Sequence, residues 1–416
     1  MYTVVFGSTS QIRLHLPINL DIPRNSFNHP RVIIYAENIH KKGVHFVPRN
    51  KAVSIPWMEP TRASPTADPM IQAKQKMAPE ITPNTFLTTT GSPSDQKTTI
   101  FFISGNPGLI GYYHPFLSLL SKYLDEQKEE NSPSRPSFQI YGCSLGGFQI
   151  DDHQATPSNN GIDLDLEDQI CFVQGKLAAL MGDEGNGNGN GNGNGNAGTR
   201  QKVILIGHSV GAYIAMEILR RHREAKPESA FDIIGGAMLF PTVKDIAASP
   251  SGQKLTTLLS IIPRLAVVVS LFARLFTFLL PASLLRYVVR LVMNDPPVHA
   301  LDTTCAFLKS RGGVRQALHM AADEMRTITS DKWSDDVWGA ASAREPITKL
   351  FFYFGRNDHW VADQTRDDIV AVRGQKGGQA GPTMVVCEEG LPHAFCLKHS
   401  DVMARKVAVM IGQIVV

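Results

Sequence analysis

A mostly parallel α/β sheet covered by helices on both faces, with an apolar helical cap or hairpin inserted late in the chain, is the fold class that the sequence predicts. Three observations carry it. Strand-length apolar runs alternate with helix-length amphipathic segments from residue 98 to 416, the pattern of successive βα units. One strand-to-helix joint holds a glycine-flanked serine. The composition, with 43% hydrophobic and 19% charged residues in a chain of 416, is that of a folded protein and excludes a mainly disordered or multi-spanning one.

Residues 1–58 contain short β-branched runs at 2–6, 31–35 and 44–47 between Pro, Asn and Gly, and are expected to form a strand-rich segment packed on the main domain. From 59 to 97 the composition turns to Pro, Thr, Ser, Ala and Gln, which reads as a linker or long surface loop. The main domain is expected over 98–416. It opens on the strand 97–104 (KTTIFFIS), followed by helical spacing at 112–124, a short strand at 138–141 and a helix at 166–180. Residues 185–196 are an almost pure Gly/Asn alternation, with no side chains to bury, and read as a flexible loop insert. After it come a strand at 202–206 (KVILI), a helix at 210–223, strands at 233–239 and 349–354 (KLFFYF), a last strand at 383–387 and a closing helix at 404–414. In such a sheet any site is expected at the carboxyl ends of the strands.

The 41 basic and 38 acidic residues leave a net charge of +3, too even to argue for nucleic acid. Five scattered cysteines, Cys143, Cys171, Cys305, Cys387 and Cys396, have no C-x-x-C spacing. They suggest neither a disulfide framework nor a metal site, and so a reducing compartment. The first residues, MYTVVFG, lack a basic region followed by an apolar one, and no secretory signal is expected.

The sharpest chemical signal is Gly207-His208-Ser209-Val210-Gly211, a G-x-S-x-G that follows one apolar strand and opens an amphipathic helix. That context is what a nucleophile elbow requires, because small flanking residues let the chain turn sharply enough to hold the hydroxyl clear of the sheet. Gly142-Cys143-Ser144-Leu145-Gly146 also fits the pattern, but a polar, turn-rich stretch follows it, so Ser144 reads as loop. A serine hydroxyl needs a histidine base and an acid to orient it. Asp358 lies just after the strand 349–354, where it competes only with a turn-forming role, and His393 lies between the last strand and the last helix. His359 and His399 are competitors on spacing alone. For the developing oxyanion, the Val210 N–H is expected as one donor. The loop Ser104-Gly105-Asn106-Pro107-Gly108 is expected to supply the other from Asn106, since Pro107 has no N–H.

Residues 251–298 are the other informative stretch. From 254 to 293 the only charges are Lys254, Arg264, Arg274, Arg286 and Arg290, and the longest uncharged run is eleven residues, 275–285. That is short of the ~20 a spanning helix needs. Basic residues spaced through a Leu/Val/Phe-rich stretch with central prolines fit an interfacial helical hairpin whose arginines reach the water boundary; the alternative is a helical cap over the active site of a soluble enzyme. A lid over a lipid-ester site can be both.

Taken in order, Ser104 to Gly108 with Tyr112 and Tyr113, Gly207 to Tyr213, Leu239-Phe240-Pro241-Thr242 with Ser249 to Gly252, Tyr353 to Trp360 and Pro392 to Phe395 resemble the lipid droplet-associated hydrolase family of the α/β-hydrolase superfamily. The resemblance covers about residues 98–400. It implies an α/β-hydrolase fold and a serine esterase of neutral-lipid esters at lipid droplets and the cytosolic face of the endoplasmic reticulum. It carries catalytic roles onto Ser209, Asp358 and His393, and droplet targeting onto about 255–293. The chain departs from the family in having Ser104 where Pro is usual. The expected function is thus hydrolysis of sterol esters or acylglycerols through an acyl-enzyme, with no metal or organic cofactor. Two alternatives remain: a droplet-organising protein whose triad is dispensable, and a soluble short-chain esterase.

Overall fold

A computed structural model describes residues 78–91, 97–126, 137–150, 163–186, 200–225, 230–340, 348–375 and 381–416. The expected strand-rich segment 1–58, the start of the expected linker and the Gly/Asn insert beyond residue 186 lie outside the described residues.

The described elements run β1 (Glu80–Ile81), β2 (Thr85–Thr90), β3 (Lys97–Ile103), α1 (His114–Glu126), β4 (Ser137–Cys143), α2 (Leu166–Asn186), β5 (Gln201–His208), α3 (Val210–Ala225) and β6 (Phe231–Leu239). Five helices follow: α4 (Pro250–Ile261), α5 (Leu265–Leu279), α6 (Ala282–Val292), α7 (Val298–Lys309) and α8 (Gly313–Thr327). The chain closes with β7 (Lys349–Phe354), α9 (Asp363–Arg373), β8 (Thr383–Val386), α10 (Phe395–Lys398) and α11 (Ser400–Val415).

The eight strands form one sheet in the order β1-β2-β4-β3-β5-β6-β7-β8. The β1–β2 and β2–β4 pairings are antiparallel and the other five are parallel, the mostly parallel sheet that the alternating pattern predicts. β3 and β5 are continuous apolar runs because helices cover both faces. Phe101, Ile103, Val203 and Leu205 belong to the core shared with α2, α3 and α8. Ile100, Phe102, Ile204 and Ile206 belong to the core shared with α1 and α11. The period of two thus divides one strand between two cores.

Two departures from expectation have physical causes. Residues 80–90, expected within the linker, hold β1 and β2. The inward positions of β2 are Phe86, Thr88 and Thr90, and β4 pairs with it along its whole length. Threonine is β-branched and suits a pleated surface, but it carries no apolar signal. The cap is also larger than the hairpin expected over 251–298: α4, α5 and α6 fill that span, and α7 and α8 extend it. Pro263 and Pro281 sit at the breaks, where a missing N–H and a ring clash stop a helix. No single described helix is long and apolar enough to cross a membrane, and α4 and α5, which reach the length together, bend by 93° at their break.

Candidate active site

Ser209 sits between β5 and α3 in the left-handed region, at φ 55°. That conformation is strained for a serine and is held by backbone bonds. Ser209 N–H donates to the Leu239 carbonyl at 3.0 Å, and its own carbonyl accepts from Ala212 N–H at 2.9 Å. The flanking glycines are needed for close approach rather than for φ. A Cβ on Gly207 would lie 2.6 Å from the Ala212 Cα, and one on Gly211 would lie 2.7 Å from the Ser104 carbonyl oxygen. The joint therefore packs directly on the loop after β3, where a Cβ on Gly105 would meet the Ser209 Cβ at 2.9 Å. Gly108 lets the same loop pass Leu145, whose Cβ would stand 2.5 Å from an added methyl.

The expected partners converge on this serine from two other strands. The Ser209 hydroxyl lies 2.9 Å from His393 Nε2. His393 Nδ1 lies 2.9 and 2.8 Å from the two oxygens of Asp358. Asp358 follows β7 and is buried, and Trp360 N–H donates to its Oδ1 at 2.8 Å. Burial alone would raise that carboxyl, but the His393 imidazole and the Trp360 N–H outweigh it and hold Asp358 below the usual carboxylate range. Its ionised form fixes Nδ1 of His393 as the protonated nitrogen, which leaves Nε2 to accept the serine proton. His359 is exposed, and His399 caps α11, so neither joins this line. Ser144 Oγ accepts from Ile110 N–H at 3.2 Å, in a stretch whose described residues, 144–150, hold no helix.

A buried polar chain that the motif reading missed braces the site. His208 Nε2 lies 2.9 Å from the His393 carbonyl oxygen, which can only accept, so this nitrogen is the donor. His208 Nδ1 then accepts from the Tyr113 hydroxyl at 2.7 Å, and the Tyr113 oxygen accepts from Gly105 N–H at 3.2 Å. Burial pushes His208 down to about 3, so it is neutral and this polarity is fixed. Phe240, also in the left-handed region at φ 47°, packs edge-on against His208 and His393. On the oxyanion side, Val210 is the first residue of α3, with an N–H that has no acceptor inside its helix. The Asn106 carboxamide reaches away from the serine and donates to the Ala317 carbonyl at 3.0 Å and to Glu324 Oε1 at 2.9 Å, both on α8. The Ser104 hydroxyl is buried with no protein partner. Among the described residues, no group of three or more His, Cys, Asp or Glu is arranged to hold a metal ion.

The outer face of the cap is a second feature. Phe272, Phe278 and Leu279 of α5 are 67%, 85% and 66% exposed, beside exposed Ile261, Leu271, Leu275, Leu284, Tyr287 and Leu291. Patches of this kind mark contact with another apolar phase. Three of the four arginines expected to reach the water boundary, Arg274, Arg286 and Arg290, are tied to the protein. Arg286 pairs with Asp302 and Arg290 with Asp295, while Arg274 donates to the Arg311 carbonyl.

A family model described as "Lipid-droplet associated hydrolase" matches residues 96–396. The chain is 28% identical over 317 residues to the lipid droplet-associated hydrolase of Gallus gallus, covering 75% of this chain and 83% of that one. It is 25% identical over 316 residues to the protein of that name from Homo sapiens, covering 75% and 84%. Among solved structures it resembles the peroxisomal α/β-hydrolase Lpx1 of Saccharomyces cerevisiae, at 13% identity and a TM-score of 0.49, covering 80% and 81%.

Proposed function

Since the chain belongs to the lipid-droplet associated hydrolase family, we propose that it is a serine carboxylic ester hydrolase acting on neutral-lipid esters at the droplet surface. The observation that carries this reading is the hydrogen-bonded line from Ser209 through His393 to Asp358, drawn from the ends of three strands. His393 Nε2 takes the serine proton as Oγ attacks the ester carbonyl. The Val210 and Asn106 N–H groups stabilise the oxyanion, and His393 returns the proton to the departing alcohol. A water then repeats the sequence on the acyl-enzyme and frees the acid. Asp358 holds the imidazole tautomer and stabilises the imidazolium. No step calls for a metal or an organic cofactor.

The exposed apolar face of α4, α5 and α6 supports binding to a droplet or to the cytosolic leaflet of the endoplasmic reticulum, with residues 255–293 as the contact. Sterol esters and acylglycerols suit a site whose cap borders such a surface. A second reading, a droplet-organising role in which the triad is dispensable, draws on the same face, because that face is built without any residue of the triad.

Labelling by a fluorophosphonate probe tests the first reading. Wild type and Ser144→Ala should label and Ser209→Ala should not. A folded wild type that stays unlabelled on a lipid surface rejects it in favour of the organising role. In cells, a droplet phenotype that survives Ser209→Ala but not deletion of 255–293 assigns the main role to the surface.

A further inference from the structure

The Asn106 side chain has no part in the chemistry proposed above, yet both of its amide hydrogens are engaged. One goes to the Ala317 carbonyl at 3.0 Å and one to Glu324 Oε1 at 2.9 Å. These acceptors lie on one helix, seven positions apart, and they converge because carbonyls along a helix point toward its C-terminus while side chains lean toward its N-terminus. Glu324 is buried, an expensive place for a carboxyl, and no salt bridge among the described residues offsets that cost. Packing does not call for a polar acceptor at such a position, whereas holding the loop after β3 does.

Helix α8 is itself firmly seated on the main domain. Gln316 brackets Leu164, accepting its N–H at 2.9 Å and donating to its carbonyl at 2.7 Å. Asp323 accepts Leu166 N–H at 3.0 Å at the start of α2, and Arg315 pairs with Asp163 at 2.7 Å. The helix therefore provides a fixed point for the oxyanion loop in addition to the Tyr113–His208 chain. One anchor takes Gly105 by its N–H and the other takes Asn106 by its side chain. Between them the Gly105–Asn106 peptide, whose N–H is the expected donor, is held from both ends.

We propose that Glu324 is a positioning residue for ester hydrolysis: with the Ala317 carbonyl it grips the Asn106 carboxamide and so aims the Asn106 N–H at the oxyanion formed on Ser209. The cap is then part of the catalytic apparatus and not only a cover or a lipid contact. This rests on the serine-esterase reading, and it adds a residue from α8 that no motif contains. Removing an oxyanion donor outright costs ~10²–10³ in kcat, and a donor that is present but misaimed should cost less.

The test is steady-state hydrolysis of p-nitrophenyl butyrate by the full-length protein, together with the rate of fluorophosphonate labelling. Glu324→Leu is expected to lower kcat about 10- to 100-fold with KM nearly unchanged, and Glu324→Gln, which keeps the acceptor, to recover most of that loss. In the Asn106→Ala background, Glu324→Leu should cost less than a further 2-fold, since the bond it removes is already gone. Wild-type kcat in Glu324→Leu overturns the proposal. So does a loss confined to KM, an equal loss in Glu324→Gln, or additive losses in the double variant. Should Glu324→Leu fail to fold, Asn106→Ala removes the same bond from the loop side, and wild-type kcat in that variant overturns the proposal. A wild type that is neither labelled nor active rejects the esterase reading itself. A labelled wild type with an equally labelled Glu324→Leu rejects only the role of Glu324.

Discussion

The elbow and the outer face of the cap treat their side chains in opposite ways. Around Ser209 the side chains of Ser209, Asp358, His208 and Tyr113 are buried and paired, His393 is half-buried between them, and two residues, Ser209 and Phe240, are held in the left-handed region. On α5 and α6 large apolar groups stand in the open, and the charged residues among them are turned back onto the protein by Asp295, Asp302 and the Arg311 carbonyl. The first arrangement stabilises developing charge because donors are already fixed where water is excluded. The second gains free energy only when another apolar phase covers it. Under the proposed esterase reading, one molecule thus separates where the chemistry would happen from where the substrate would be met.

The largest expected effect breaks the elbow alone. Ser209→Ala should abolish fluorophosphonate labelling while the protein still floats with artificial droplets, and Asp358→Asn should lower kcat on the order of 10³- to 10⁴-fold by favouring the wrong His393 tautomer. If Ser209→Ala also stopped flotation, the two regions would not be separable. The next effect breaks the other side. Each exposed phenylalanine is worth ~1.5–3 kcal/mol when fully buried, so Phe272→Asp with Phe278→Asp should reduce partition onto phospholipid-coated triolein droplets by about 100-fold or more. Because Arg286 and Arg290 are already paired with carboxylates and Arg274 is turned onto the Arg311 carbonyl, raising the salt concentration should change wild-type partition little. A steep salt dependence would show that these ion pairs open at the surface.

The two regions also differ in how far the sequence reveals them. Ser209, Asp358 and His393 could be picked out because each stands just after an apolar strand, and a parallel sheet brings such ends together. The exposed face was legible as five basic residues spread through a Leu/Val/Phe-rich stretch, although their pairing was not, since Asp302 and the Arg311 carbonyl lie outside that stretch. What supports the triad was hidden for a different reason. His208 meets Tyr113 across 95 positions and Asn106 meets Glu324 across 218, and no local spacing records such partners. Strand β2 was missed because two of its three buried residues are threonine, and α8 because its polar face, which looks like a solvated one, is turned toward the main domain.

A smaller effect sharpens the account of the elbow. Tyr113→Phe removes only a hydroxyl, but it leaves the Gly105 N–H and His208 Nδ1 buried without that partner, at ~1–3 kcal/mol. The melting temperature should fall by several degrees and kcat by a few-fold, with KM little changed. An unchanged kcat in a destabilised Tyr113→Phe would reduce the chain to a packing feature.

The effect that is smallest on activity, and is read in stability alone, lies in the pH dependence and sets the cap against the triad. Burial, reinforced by the neighbouring Asp323 carboxylate and partly offset by the Asn106 amide, raises Glu324 from 4.5 to about 8. Between those values the folded protein keeps a proton that the unfolded chain has released, so stability falls as pH rises, by at most about 1.4 kcal/mol per unit. Below that window both states are protonated and the term vanishes. Glu324→Gln cannot ionise, so its melting temperature should match wild type near pH 4.5 and exceed it progressively toward pH 8. Asp358 has the opposite sign. Held below the usual range, it contributes stability above its unfolded value and loses it as pH falls through the folded one, so Asp358→Asn should flatten the acid limb and leave the neutral one sloped. A pair of variants that shifted the same limb would mean that cap and triad titrate as one unit.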